Sequence, residues 1–231
     1  MKNFILLALL AICTAPAFAQ TSIGIIGGYN HASLRSRNNT KASGLDVNPY
    51  AGWRAGIITD HHLFGKFHLQ PQLLLNTKGH NIDVTSSDAV QYSFVYARRR
   101  FTYLELQTSL LFKQQTGAGK IFAGAGPYIG RGISGKDRYD EEWNGRRISN
   151  YYPIKYRDKE PIGAEADGVT YLKPYDIGVN FQAGYELKNG LFFNAVYSLG
   201  LNHIFHGHSS GNIDKNTYFG LSVGYFFKKF S

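Results

Sequence analysis

The sequence predicts an all-β fold, a transmembrane antiparallel up-and-down β-barrel of eight strands. Three observations predict it. Apolar and polar residues alternate with period two in eight segments, each bounded by turn residues. The connections between those segments are long and short in strict alternation. The composition, with 16 Tyr, 16 Phe and 26 Gly in 231 residues, is that of a strand-rich membrane protein. Girdles facing lipid use aromatic side chains, and crowded strand crossings use glycine.

The first nineteen residues are expected to be a signal peptide. Lys2 supplies the positive charge, residues 4–12 form an apolar run, and Ala17-Phe18-Ala19 is a cleavage site of the A-x-A kind, so the mature domain is residues 20–231. The run is too short for a spanning helix and is followed by Pro16. Lipidation at Cys13 is disfavoured because Ile12 stands where a small residue is wanted. Cys13 is the only cysteine and leaves with the peptide, so no disulfide staples the exported chain. Its stability must then come from a large core or from a membrane. The formal net charge is +9, of which Lys2 contributes one. Nucleic acid is not an expected partner of an exported chain, whereas outer-membrane lipid and anionic lipopolysaccharide are.

The eight segments are 22–30, 50–60, 66–76, 101–112, 120–132, 175–186, 191–203 and 218–227. In the sixth, Tyr175, Ile177, Val179, Phe181, Ala183 and Tyr185 alternate with Asp176, Gly178, Asn180, Gln182, Gly184 and Glu186. The last sets Phe219, Leu221, Val223, Tyr225 and Phe227 against Tyr218, Gly220, Ser222, Gly224 and Phe226. The third sets Phe67, Leu69, Leu73 and Leu75 against Lys66, His68, Gln70, Gln72 and Asn76. One face suits lipid and the other a polar lumen. In 120–132 small residues occupy both sets and leave the outward face open. Pro71 and Pro127 require a bulge or an unpaired position in their ladders. Long connections cover 31–48, 77–100, 133–173 and 204–216, and short ones 61–65, 113–119 and 187–190. Such alternation implies short periplasmic turns, long extracellular loops and both termini on the periplasmic side.

Several runs resemble the PorT-like outer-membrane β-barrel family. They are Gly52-Trp53-Arg54-Ala55-Gly56-Ile57-Ile58, Phe67-His68-Leu69-Gln70-Pro71-Gln72, Tyr103-Leu104-Glu105-Leu106 and Ala123-Gly124-Ala125-Gly126-Pro127-Tyr128. Tyr197-Ser198-Leu199-Gly200-Leu201 and Phe219-Gly220-Leu221-Ser222-Val223-Gly224-Tyr225 complete the likeness over nearly the whole mature chain. The resemblance implies the barrel architecture. It assigns no activity.

An eight-stranded barrel has a lumen that side chains fill, which argues against a diffusion pore. By parity Arg54, Glu105, Asp176 and Glu186 point inward, and buried charges need partners. They are expected to form an interior polar network fixing strand register, the alternative being a proton or solute relay. The long connection between the fifth and sixth segments interleaves Tyr139, Trp143, Tyr151, Tyr152 and Tyr156 with Arg146, Arg147 and Arg157, a candidate surface for a protein, glycan or lipopolysaccharide. Its plainer reading is strand extensions with a solvated tip. His203, His206 and His208 lack a nearby carboxylate or cysteine, so neither metal nor cofactor is expected. Nothing in the sequence ties a particular serine to a base. The leading expectation is a non-enzymatic protein with a structural, binding or assembly role. Its alternatives are an outer-membrane lipid hydrolase and a soluble periplasmic barrel, the latter poorly served by Gln70, Gln72, Asn180 and Gln182 as lining for an apolar ligand.

Overall fold

A computed structural model describes residues 21–35, 45–88, 91–143, 146–159, 168–206 and 215–227, and the expected signal peptide lies outside them. Their regular elements are all strands: β1 (Thr21–Arg35), β2 (Leu45–Phe64), β3 (Phe67–Asp88), β4 (Gln91–Thr116), β5 (Gly119–Trp143), β6 (Arg146–Tyr156), β7 (Thr170–Leu172), β8 (Tyr175–Leu187), β9 (Leu191–Gly200) and β10 (Lys215–Phe226). Antiparallel pairings run β1–β2–β3–β4–β5–β8–β9–β10 and return from β10 to β1, so eight strands close on themselves. The other two stand outside that ring. β6 pairs with the far end of β5, and β7 runs parallel to β6 for three residues.

One end of the ring carries tight turns. Gly65 and Gly117 have φ of 57° and 58°, the left-handed region that costs a residue with a Cβ but not glycine. The opposite end is taller than the sequence pattern implied. Residues 77–100 do not form a loop, because β3 and β4 stay in register from Phe67↔Phe112 to Asp88↔Gln91. Likewise much of 133–173 is strand, with Lys136↔Pro153 through Trp143↔Arg146 forming a hairpin above the ring. Polar sequence in an exposed antiparallel hairpin carries no apolar stripe, so periodicity could not separate it from a loop.

Faces follow the alternation. Along β10, Phe219 and Leu221 are 48% and 54% exposed while Tyr218 is 1%. Asn76, Asn180 and Ser198 are fully buried, whereas Leu73, Phe181 and Tyr197 look outward. In β5 the open question closes with Phe122 and Tyr128 inward and Ile121 and Ile129 outward. Pairing passes from Tyr103↔Gly132 to Thr102↔Ser134, so Ile133 is an extra residue, a bulge that reverses the parity of β5 above it. Both prolines sit where a ladder lapses. Pairing of β2 with β3 skips from Ile58↔Gln72 to His61↔Leu69, across Pro71. That of β4 with β5 skips from Gln107↔Tyr128 to Leu110↔Ala125, across Pro127.

Inside the ring an apolar cluster of Ile26, Ile58, Leu74, Phe192 and Phe226 lies towards the tight turns. A second, of Phe101, Tyr103, Ile154, Leu172 and Ile204, closes the tall end. Ile204 reaches it because β9 stops at Gly200, three residues short of the predicted end, and the chain after it turns inward. Polar side chains fill the space between.

Candidate functional site

The inward residues form three polar tiers. Nearest the tall end, Lys78 Nζ stands 2.8 Å from Glu105 and 2.9 Å from Asp176, with every side chain at most 1% exposed. Its ammonium also lies 4.2 Å from the Tyr128 ring centroid, 5.2 Å from that of Tyr218 and 5.5 Å from that of Tyr103. Asn216 Nδ2 donates to Asp176 at 2.9 Å, and Asn76 Nδ2 donates to Glu105 at 3.0 Å. Two carboxylates and three aromatic faces thus compensate one buried cation.

The middle tier is made of amides. Gln182 Nε2 donates to Gln70 at 3.1 Å, Asn194 Nδ2 to Gln182 at 3.0 Å, and Asn180 Nδ2 to Gln107. Arg54 belongs here. It donates to Gln72 at 3.1 Å and to the Tyr218 hydroxyl at 3.5 Å, and among the described residues it has no carboxylate partner. At the tight-turn end Lys113 Nζ bridges Glu186 at 2.6 Å and Asp60 at 2.9 Å, and Asp60 meets His68 at 3.0 Å.

Of the four predicted lumen residues, then, Glu105 and Asp176 share Lys78, Arg54 sits among neutral groups, and Glu186 belongs to a separate cluster. The sequence reading missed both lysines. Lys78 falls in the predicted loop 77–100 and Lys113 in the predicted turn 113–119. Continuing the parity of Asn76 by two residues would have placed Lys78 inward, so that signal was present.

The β5–β6 hairpin divides the other predicted set between two faces, because antiparallel partners share a face. Tyr139 and Tyr152 turn inward with ring centroids 5.8 Å apart, and Arg99 donates to the Tyr139 hydroxyl and to Asp137, the latter at 2.8 Å. Tyr156 is no surface group. Its ring lies 5.9 Å from that of Tyr103, and its hydroxyl donates to the Ser134 carbonyl at 3.0 Å. Tyr151 faces outward, 65% exposed, with the Arg138 guanidinium 5.4 Å from its centroid. Arg146 and Arg147 are exposed, and Arg147 reaches Asp140 at 3.2 Å. Ser149 and, after it, Arg138 and Arg147 hold the Asp140 carboxyl below its usual range despite burial. Arg157 covers the Tyr171 ring at 5.4 Å. The side chain of Trp143 lies outside the described residues. The single aromatic and arginine surface expected for 133–173 is therefore split between the mouth and the outer wall.

His80, at the inner mouth, packs on Phe101 and Phe205 with centroids 5.8 and 6.3 Å away. Among the described residues neither ring nitrogen has a hydrogen-bond partner. Burial, and then the Arg99 charge, push its pKa down to about 3. Of the histidine run, His206 contacts the Arg157 carbonyl at 3.1 Å, and His208 lies outside the described residues. The described residues contain no group of three His, Cys, Asp or Glu able to hold a metal.

An antiparallel strand protein that is apolar outside and polar within is built for lipid, the reverse of a water-soluble protein. The chain belongs to the outer membrane protein beta-barrel domain family, whose model matches residues 18–206. Its place is accordingly the outer membrane. No curated protein matches the sequence. Similar solved structures include Neisserial surface protein A, at 10% identity over 90% of this chain and 99% of that one, with a TM-score of 0.40. Another is Ail, the attachment invasion locus protein of Yersinia pestis, solved with the heparin analogue sucrose octasulfate. It is also 10% identical over 90% of this chain and 99% of its own, with a TM-score of 0.39.

Proposed function

We propose that the chain is a PorT-like, eight-stranded up-and-down barrel that crosses the outer membrane and has a non-enzymatic role in structure, binding or assembly there. The observation that carries this reading is a ring of eight paired strands whose outward positions are apolar and whose inward positions are polar. Within lipid every backbone polar group must be paired inside the protein, and a closed ring leaves no edge unpaired. From Phe219 to Phe227 the outward row of β10 is uninterrupted. At about 3.3 Å per residue and a tilt near 40° it rises roughly 20 Å, close to the apolar band of such barrels.

Residues 1–19 direct export and are removed, leaving 20–231 as the barrel domain. The tight turns then face the periplasm and the tall hairpins the outside. The PorT-like assignment rests on the runs around Trp53, Pro71, Glu105, Pro127 and Gly220. A non-enzymatic role agrees with lumen groups that are engaged with one another in three tiers. Lipid and lipopolysaccharide are its partners in the membrane, and a protein or glycan is its partner at the tall hairpins.

Electrophoresis tests the reading. Protein purified in detergent is expected to migrate faster unheated than boiled, because a closed barrel resists detergent unfolding. Equal mobility, together with a β-rich circular dichroism spectrum in detergent-free buffer, would replace it with a soluble barrel.

A further inference from the structure

The outer wall of β3, β4, β5 and β6 above the apolar band is an ordered lattice, because cross-strand partners share a face. Leu75 and Leu104 stand level on that wall. Next come Thr77, Thr102 and Ser134, then Gly79, Arg100 and Lys136, then Asn81, Arg98, Arg138 and Tyr151. The bulge at Ile133 is what turns Lys136 and Arg138 outward. Two successive cross-strand pairs, Arg100↔Lys136 and Arg98↔Arg138, therefore juxtapose like charges on one face. Like charges directly opposite in a sheet repel and destabilise it.

Little among the described residues relieves this. Arg138 reaches Asp140 at 3.0 Å, and Arg98 donates to the Tyr96 hydroxyl at 2.9 Å, a neutral partner. Arg100 and Lys136, both exposed, have no acidic partner among the described residues. Arg131, also exposed, lies lower on the same wall, level with Leu104. The cation rows begin four residues above Leu104, on the order of 10 Å higher at the usual rise and tilt. That is where the anionic groups of an outer leaflet lie.

We infer that Arg98, Arg100, Lys136 and Arg138, flanked by Arg131, form a binding site for the phosphate groups of lipopolysaccharide on the outer wall of the barrel. An anion bridging the two pairs turns repulsion into four charge-assisted contacts, and arginine suits phosphate because its donors are forked. The occupant is a membrane lipid, since the site continues downward into the lipid-facing row and Arg131 stands at the junction. The inference rests on the barrel reading above, but its test is separate, because every variant is first shown to keep heat-modifiable mobility.

The experiment titrates detergent-solubilised full-length protein with diphosphoryl lipid A and with the same lipid stripped of phosphate. R98Q/R100Q/K136Q is expected to bind diphosphoryl lipid A at least tenfold more weakly than the unmodified protein. K120Q/K188Q, which removes two cations towards the tight-turn end, is expected to bind as the unmodified protein does. The single R100Q variant supplies a second measure. It should melt at the same or a higher temperature than the parent without lipid A, and at a lower one with it. Unchanged affinity in the triple variant overturns the site. So does equal binding of the dephosphorylated lipid, and a soluble sulfated polysaccharide competing as well as lipid A overturns the assignment to a membrane lipid.

Discussion

Lys78 is the residue on which the upper lumen depends. Removing its charge strands Glu105 and Asp176, each fully buried. Lys78→Met is expected to destabilise the folded form by about 3–5 kcal/mol. K78M/E105Q/D176N should cost less than the single change, because it leaves no charge uncompensated; denaturant titration of the fast-migrating form distinguishes the two. On the lipid side, Leu221→Arg should cost roughly 2–4 kcal/mol if the position lies near the midplane, and the inward Ser222→Thr much less. His80 gives a pH signature. Its folded pKa of about 3 lies below the ordinary imidazole value of 6.5, so the unfolded chain binds the extra proton first. Stability contributed by neutral His80 is thus lost as pH falls from about 6.5 towards about 3. His80→Leu should flatten that part of the stability–pH curve, and an unchanged curve would show that the imidazole is already charged or exposed. The faces of Leu221 and Ser222 were legible in the alternation, and that of Lys78 by continuing the parity of Asn76, but the partners of Lys78 were not, because Glu105 and Asp176 come from strands distant in sequence.

Among elements, the β5–β6 hairpin joins two jobs that the sequence presents as one segment. Its base carries Ile154 and Tyr156, which pack over Phe101, Tyr103 and Leu172. The tip, 141–148, carries none of that cluster. Replacing the tip by a two-residue turn should leave the melting temperature of the folded form within a degree or two. Replacing 136–173 by a short Gly-Ser link should lower it by several degrees, since it uncovers the apolar mouth. Equal effects would mean that the cluster adds nothing to stability. Element order and strand faces were legible wherever lipid imposes alternation, as in Tyr175 to Glu186. Element length was not, since nothing apolar marks where β3, β4 and β5 leave the membrane. The bulge at Ile133 was also hidden, being a single residue in a run of Gly, Arg and Ile that either parity accommodates.

For the whole molecule, the lumen is occupied from end to end by the three polar tiers and two apolar clusters. Reconstituted protein should therefore give no steady conductance in planar bilayers at moderate voltage. A persistent open level would show that the tiers part in the membrane. The order of the strands around the ring and the inside-out polarity were accessible from spacing and alternation, whereas the two further strands, β6 and β7, were not. The pairing of particular side chains was not, since Lys78 and Asp176 lie 98 residues apart and meet only once the ring has closed.

Closure itself sets the order of events during biogenesis. β1 bonds to β10 over residues Gly24 to Arg35, so the first strand waits for the strand farthest along the chain. Until then β1 offers a bare edge carrying Ile23, Ile25, Ile26 and Tyr29, able to pair with any strand it encounters. Contacts of such long sequence separation form slowly. The nascent chain therefore has to be kept apart from its neighbours through the whole transit across the periplasm, and its folding rate is governed by one late meeting of two strands rather than by the stability of any single hairpin.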